Sequence, residues 1–425
     1  MFPVIVLAAV LALISVRHYF IRWGRYEIWQ IMCLGAVATV ISGSISFYDA
    51  IKAINTDVII CLFGMFVIGA ALEESGYLSH ITYKMFKSAR SLEGLFLAIL
   101  IFAGLGSAFL MNDTIAIIGT PIVLLLARSH NINPRPLLMA LAFAVTIGGV
   151  ASPLGNPQNL LIATHGNIAG PFVVFAKYLL IPTVINLYVA FLFLKKFYAA
   201  DFAADRVLAH SQFPVRNRHL AVLSKISVCL LAGLIVVKIF IDNFYLQAIG
   251  NEDVMNLALI SLAASFPIII LSPKRFDVIR KVDYHTLLFF AGMFVLMRAV
   301  WDTDFFQKII YSVGEGRVSS PFMIILVGII GSQLISNVPL VALYLPLLVA
   351  GSGGSVKGMM LLAASSTIAG NFSIFGAASN VIIIHNAEKR LKTFPLSVWE
   401  FSKIGIPLTV ANVLVYWIYF ALFRG

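Results

Sequence analysis

The chain has 425 residues, of which 60% are hydrophobic and only 12% charged, with a formal net charge of +11 and a mean hydropathy of +0.96. Soluble domains carry about 25% charged residues, so this composition excludes a water-soluble globular protein. The basic residues sit in short stretches between apolar runs, not on one compact domain; this excludes a nucleic-acid binder and follows the positive-inside pattern.

An apolar run of about 20 residues suffices to cross a bilayer. In chain order, the sequence predicts spans over 2–20, 28–47 and 57–78, a half-way hairpin over 94–128, and spans over 136–165 and 171–194. After a basic stretch come spans over 222–241, 254–272 and 284–300, a second hairpin over 320–351, and spans over 357–387 and 398–423. The N-terminal run has neither a basic leader nor an A-x-A site, and Arg17, Arg22 and Arg25 follow it, which fits a first span with an external N-terminus. Cys33, Cys61 and Cys229 lie singly in apolar spans, without disulfide or zinc spacing, and are expected to be buried structural thiols.

The charges fix one topology. Lys84, Lys87, Arg128, Arg135, Lys195, Lys196, Arg216, Lys274, Arg280 and Arg390 fall in loops on one side, whereas Asp49, Asp242, Glu252, Asp253, Asp302 and Asp304 fall on the other. This holds only if 94–128 and 320–351 each enter and leave on the same face. The sequence also repeats itself. GMFV at 64–67 recurs at 292–295, Asn112 and Asn337 each lie nine residues before a proline, and TIGGVASPLGNPQN at 146–159 aligns with TIAGNFSIFGAASN at 367–380. Three matches in order at a nearly constant offset, combined with the charge pattern, imply two inverted repeats. The expected architecture is an all-α polytopic membrane protein of about ten transmembrane helices, two re-entrant hairpins and two broken helices. Its expected divisions are 1–194, a cytoplasmic linker over 195–221, and 222–425.

Non-helical backbone at membrane depth is tolerated only where protein or a wet cavity covers it. Four polar breaks occur, two per repeat: Asn112 and Thr114 at the first hairpin tip; Gly155, Asn156, Gln158 and Asn159 in the fourth span; Ser336 and Asn337 at the second tip; and Gly376, Ser379 and Asn380 in the ninth span. An isolated asparagine of this kind more often only repairs a helix break. Four breaks paired by the repeat point instead to a substrate site. Asp113 is the candidate for proton or cation coupling, because a carboxylate at that depth needs a partner, an ion or a proton. Its repeat counterpart is Val338, so the fold itself does not require it. No Walker loop, HExxH or nucleophile elbow is present, so neither an enzyme, a cofactor nor a metal site is expected.

These motifs resemble the ion transporter superfamily, which includes the arsenite efflux permeases (ArsB), the NhaD sodium/proton antiporters and the divalent-anion:sodium symporters. LEESGY at 72–77 resembles the acidic LDESGF segment of arsenite permeases, and Asn112-Asp113-Thr114 with TPIV at 120–123 resembles their hairpin. The symporters carry Ser-Asn-Thr there, whereas here Asn112 and Thr114 flank Asp113. GNPQN at 155–159 departs from arsenite permeases and is closer to the NhaD and symporter break. The resemblance implies an outer scaffold and a transport domain that moves as an elevator, in a bacterial or archaeal cytoplasmic membrane. It further implies export of arsenite or antimonite in exchange for protons; sodium/proton antiport and sodium-coupled uptake of a dicarboxylate are the alternatives. A homodimer and an associated soluble ATPase are both compatible with the sequence.

Overall fold

The computed structural model describes residues 1–16, 28–77, 80, 89, 91–166, 168–202, 215–244, 256–305, 308, 319–335, 337–351, 355–391 and 396–422. Ser336 lies outside them, as do the basic clusters at 17–25 and 84–90, Glu252 and Asp253. Every regular element among the described residues is helical. The first half comprises α1 (Phe2–Val16), α2 (Ile28–Ile41), the short α3 (Phe47–Ala53), α4 (Thr56–Ser75), α5 (Leu92–Leu110), α6 (Asn112–Ser129), α7 (Pro134–Gly148), α8 (Pro157–His165) and α9 (Pro171–Phe197). The second comprises α10 (Arg218–Phe244), α11 (Leu257–Leu271), α12 (Tyr284–Trp301), α13 (Pro321–Ile335), α14 (Asn337–Gly351), α15 (Val356–Ile368), α16 (Ala378–Leu391) and α17 (Val398–Leu422). Among the described residues, seven helices are long and apolar enough to cross a membrane.

Both halves repeat one order: a long helix, a hairpin, a broken helix and a long helix. The first hairpin, expected over 94–128, is the longer of the two. Its arms α5 and α6 have 19 and 18 residues, about 28 Å each at 1.5 Å per residue, whereas α13 and α14 have 15 each. The span expected to reach residue 47 stops at Ile41, and α3 follows, capped by Ser46, whose hydroxyl accepts from Asp49 N–H. Cys229 is a correction to the expectation for thiols: Cys61 is buried, Cys33 half-buried, and Cys229 lies on an exposed face of α10.

The repeated GMFV marks a packing contact. α4 packs on α11 and α12 packs on α2, so each half lends a helix to the other. Gly64 allows the approach in the first pair, since a Cβ there would meet the Ser261 backbone at 2.7 Å. Gly292 does the same in the second, where a Cβ would lie 3.2 Å from Cys33. The same positions face each other in both pairs: Ser261 Oγ, bonded at 3.0 Å to the Ala258 carbonyl of its own helix, also lies 3.5 Å from the Ile60 carbonyl, and Cys33 Sγ donates to the Leu288 carbonyl (3.4 Å). Charged residues near the helix ends also find partners. Glu74 pairs with Lys281, and Arg298 with Asp302 at 3.1 Å one helical turn on. The broken helices cross over too: α16 packs on α6 and α7, and α8 on α14 and α15. This brings both breaks and both hairpin tips into one buried region.

Candidate functional site

The α7–α8 break begins at Gly148. The helix tightens into a 3₁₀ turn over Gly149–Ala151, extends at Ser152, and restarts at Pro157, whose missing N–H costs nothing in a first helical turn. Asn156 caps α8, its Oδ1 accepting from Asn159 N–H (2.9 Å). Asn159 turns back on the break: its Nδ2 donates to the carbonyls of Gly149 (3.0 Å), Val150 (3.3 Å) and Ser152 (3.0 Å). A single amide thus satisfies carbonyls that the ended helix would leave orphaned. Glycine is required at 155, because a Cβ there would overlap the Gly149 carbonyl.

The second break uses the same frame. After α15 come 3₁₀ turns over Ala369–Asn371 and Ile374–Gly376. Asn380 Nδ2 donates to the carbonyls of Gly370 (2.7 Å) and Ser373 (3.4 Å), the counterparts of Gly149 and Ser152. The hairpin arms lean on the broken helices in parallel fashion: Ser107 Oγ donates to the Val145 carbonyl (2.6 Å) and Ser332 Oγ to the Ser366 carbonyl (3.5 Å).

Each hairpin tip is tied to the break of its own half. Met111, between α5 and α6, adopts φ 70°, ψ 145°, a region that costs a side-chain-bearing residue about 1–3 kcal/mol. That turn aims Asn112 N–H at the Gly155 carbonyl (2.9 Å), while Asn112 Oδ1 accepts from Asp113 N–H (2.9 Å). At the second tip the Asn337 amide, oriented with its nitrogen toward acceptors, donates to the carbonyls of Gly376 (3.2 Å) and Ser366 (3.1 Å) and to Ser332 Oγ (3.2 Å). The equivalent pairs Asn112–Gly155 and Asn337–Gly376 therefore make the same connection, one through the backbone and the other through the side chain.

The structure buries every described candidate. Asn156, Asn159, Ser379 and Asn380 have no exposure, and Asn112, Asp113, Thr114, Gln158 and Asn337 have no more than 8%. Thr114 stands apart, for its methyl faces α4, where a Cβ on Gly69 would meet it at 2.6 Å. Two further residues join this buried network. Thr367 Oγ1 of the second half accepts from Asn156 Nδ2 (3.1 Å) and Gln158 Nε2 (3.2 Å) of the first. Gln333 on α13 donates to the Ala369 carbonyl (2.7 Å) and accepts from Ser373 Oγ (3.1 Å). The sequence signal for either is weak: Thr367 is the repeat partner of Thr146, and Gln333 an amide inside an apolar hairpin arm. Asp113 Oδ1, Thr146 Oγ1, Ser379 Oγ and Asn380 Oδ1 are buried without a hydrogen-bond partner within the protein. Among the described residues, the groups that line the two breaks are amides, hydroxyls and backbone carbonyls, with Asp113 the carboxylate at the first tip. Such a set can hold neutral hydroxylated molecules or cations; it offers no guanidinium fork for a polyanion.

Comparison with known proteins agrees with a transporter. The family described as "Citrate transporter" (CitMHS) matches residues 11–357. An uncharacterized transporter of Mycobacterium tuberculosis is 30% identical, with 91% of each chain covered. The silicon efflux transporter LSI3 of rice is 26% identical, with 89% of each chain covered. The crystal structure of the YdaH transporter of Alcanivorax borkumensis superposes over 99% of this chain and 98% of its own, with a TM-score of 0.56 and 13% identity, a likeness of fold alone. These matches support an ion-transporter type of permease and do not single out the arsenite permeases. The chain is thus a multi-pass secondary transporter of the cell membrane, not an enzyme, and it belongs to the citrate transporter (CitMHS) family.

Proposed function

We propose that the protein exports a small neutral oxyacid of the arsenite, antimonite or silicic acid class in exchange for protons. The observation that carries this reading is the chemistry of the buried region: amides and hydroxyls around the breaks, one carboxylate, and no cationic side chain among the described groups lining them. A neutral hydroxide of arsenic or silicon presents O–H donors and lone pairs to such groups and pays little for leaving water. A carboxylate-rich substrate pays far more unless charges compensate it. Rice LSI3, named as a silicon efflux transporter, supports the same class.

Asp113 is the proposed coupling group. It is buried, and one of its oxygens is unpartnered. A carboxyl in that position can carry a proton in one orientation of the site and release it in the other. We further propose that the chain divides at 1–194, 195–221 and 222–425 into inverted repeats joined by a linker, and works by alternating access. The equivalent wiring of Asn159 and Asn380 supports that division. A second reading, sodium-coupled transport of citrate or a dicarboxylate, is favoured by the family description.

The test is flux into proteoliposomes of purified protein, with arsenite, silicic acid, citrate and sodium offered in turn under imposed pH or sodium gradients. Proton-driven movement of a neutral oxyacid is the expected result. Sodium-driven citrate movement without oxyacid flux would replace the first reading with the second.

A further inference from the structure

Thr367 closes α15 at the lip of the second break, yet its hydrogen bonds run to the first. Its hydroxyl accepts from Asn156 Nδ2 (3.1 Å) and Gln158 Nε2 (3.2 Å) and faces Asn159 Oδ1 at 3.5 Å. The orientation of two of these amides is fixed by other bonds. Asn156 Oδ1 is committed to capping α8, so its nitrogen turns away from the cap; one of its N–H groups reaches the Gly149 carbonyl (3.2 Å) and the other Thr367. Asn159 Nδ2 is committed to three carbonyls, so its oxygen must face Thr367. A hydroxyl has two lone pairs and one hydrogen. Two N–H donors and one amide oxygen converging on a single oxygen therefore match the full valence of one hydroxyl group, and in this structure that group belongs to the protein.

The other half shows the same place wired differently. The counterparts of Thr367, Asn156 and Gln158 are Thr146, Ala377 and Ser379. Thr146 Oγ1 and Ser379 Oγ are buried and make no hydrogen bond within the protein, and a Cβ on Gly370 would meet the Thr146 methyl at 3.1 Å. The fold thus packs soundly without this contact in one half. The three-way contact at Thr367 is a property of the first break, not of the repeat.

We infer that Thr367 is a specificity-determining residue whose hydroxyl is a built-in surrogate for a substrate hydroxyl: it holds the Asn156–Gln158 donor pair and exchanges for an O–H group of the cargo. This rests on the proposed reading of the breaks as the substrate site and adds to it the chemical group recognised there, an oxygen that accepts two amide N–H bonds and donates one. Binding must displace Thr367, so the intramolecular contact sets the affinity and links occupancy of the first break to the position of α15 in the other half.

Thr367→Val keeps the shape and removes the competitor; Thr367→Ser keeps the hydroxyl; Thr367→Ala serves if the valine variant does not fold. Binding is read as the ligand-dependent rise in thermal stability of detergent-purified protein, with arsenite, silicic acid and citrate as separate probes. The valine and alanine variants are expected to bind the responding probe about fivefold more tightly than wild type, the equivalent of roughly one net hydrogen bond, with the serine variant unchanged. Equal or weaker binding by valine and alanine overturns the inference, because a merely structural contact can only weaken the site when it is lost. A complete lack of response in every variant also overturns it, since freeing the donor pair would then have created no site. If citrate alone responds, the oxyacid reading fails, while the ratio of valine variant to wild type still decides the role of Thr367.

Discussion

In the first break Asn156 and Gln158 reach out of their own half to Thr367, at 3.1 and 3.2 Å. At the same places in the second break stand Ala377 and Ser379, and the brace comes instead from Gln333 on the adjacent hairpin arm, 2.7 Å from the Ala369 carbonyl. The frame beneath is shared: one asparagine holding the broken carbonyls, one glycine accepting the hairpin tip. Duplication supplies that frame, and divergence at a few positions decides where each break is anchored. One is fastened across the repeat boundary and the other within its own half. The carboxylate of Asp113 accompanies the first and has Val338 as its counterpart in the second, so the asymmetry extends to charge.

The largest effect is expected at the glycines. Gly155→Ala forces a Cβ into the Gly149 carbonyl and should cost about 3 kcal/mol, near the upper end for overpacking. Gly376→Ala, where the added Cβ would lie 2.8 Å from the Ala369 carbonyl, should cost less. Thermal unfolding in detergent measures both, and equal losses would mean that the breaks are equally tight. Next come the asparagines. Asn159→Ala removes three donated bonds and Asn380→Ala two, although Gly149 keeps Asn156 Nδ2 and Ser152 and Ser373 each keep a backbone donor; losses of about 1–2 and about 1 kcal/mol are expected, and the reverse order would contradict a stiffer first break.

Asp113→Asn keeps shape while removing the proton. Uphill flux driven by a pH gradient should fall about tenfold or more, a change worth about 1.4 kcal/mol, with substrate binding preserved. Undiminished uphill flux would shift the coupling role to another carboxylate. A smaller contrast is expected between Ser107→Ala and Ser332→Ala. The bonds are 2.6 and 3.5 Å, and losses of about 1 kcal/mol and well under that should follow. Cys33→Ser is expected within about 0.5 kcal/mol of wild type, since Ser261 already plays the equivalent part in the other half. A larger loss would show that α2–α12 and α11–α4 are not interchangeable contacts.

Much of this was legible in the sequence because the repeat is written in residues that bend or cap helices. Asn112, Asn337, Gly155, Gly376, Asn159 and Asn380 stand out from apolar surroundings, and each lies where the chain turns. Thr367 and Gln333 did not stand out. A threonine in an apolar helix ordinarily bonds back to its own preceding turn, as Thr120 and Thr409 do here (both 2.7 Å), and nothing local distinguishes one that reaches another half. The exposed face at Cys229 was missed because in lipid an outward-facing residue is as apolar as an inward one.

The exchange of helices between halves has a consequence for biogenesis. During synthesis α4 emerges long before α11, the helix that closes against Gly64, and α2 waits longer still for α12. Neither groove can be filled until most of the chain has been made. Contacts so distant in sequence slow assembly and prolong the life of partly packed intermediates. The first half made alone would expose the Gly64 seam to lipid and to other chains, whereas two separately expressed halves inserted together hold every helix the seams require.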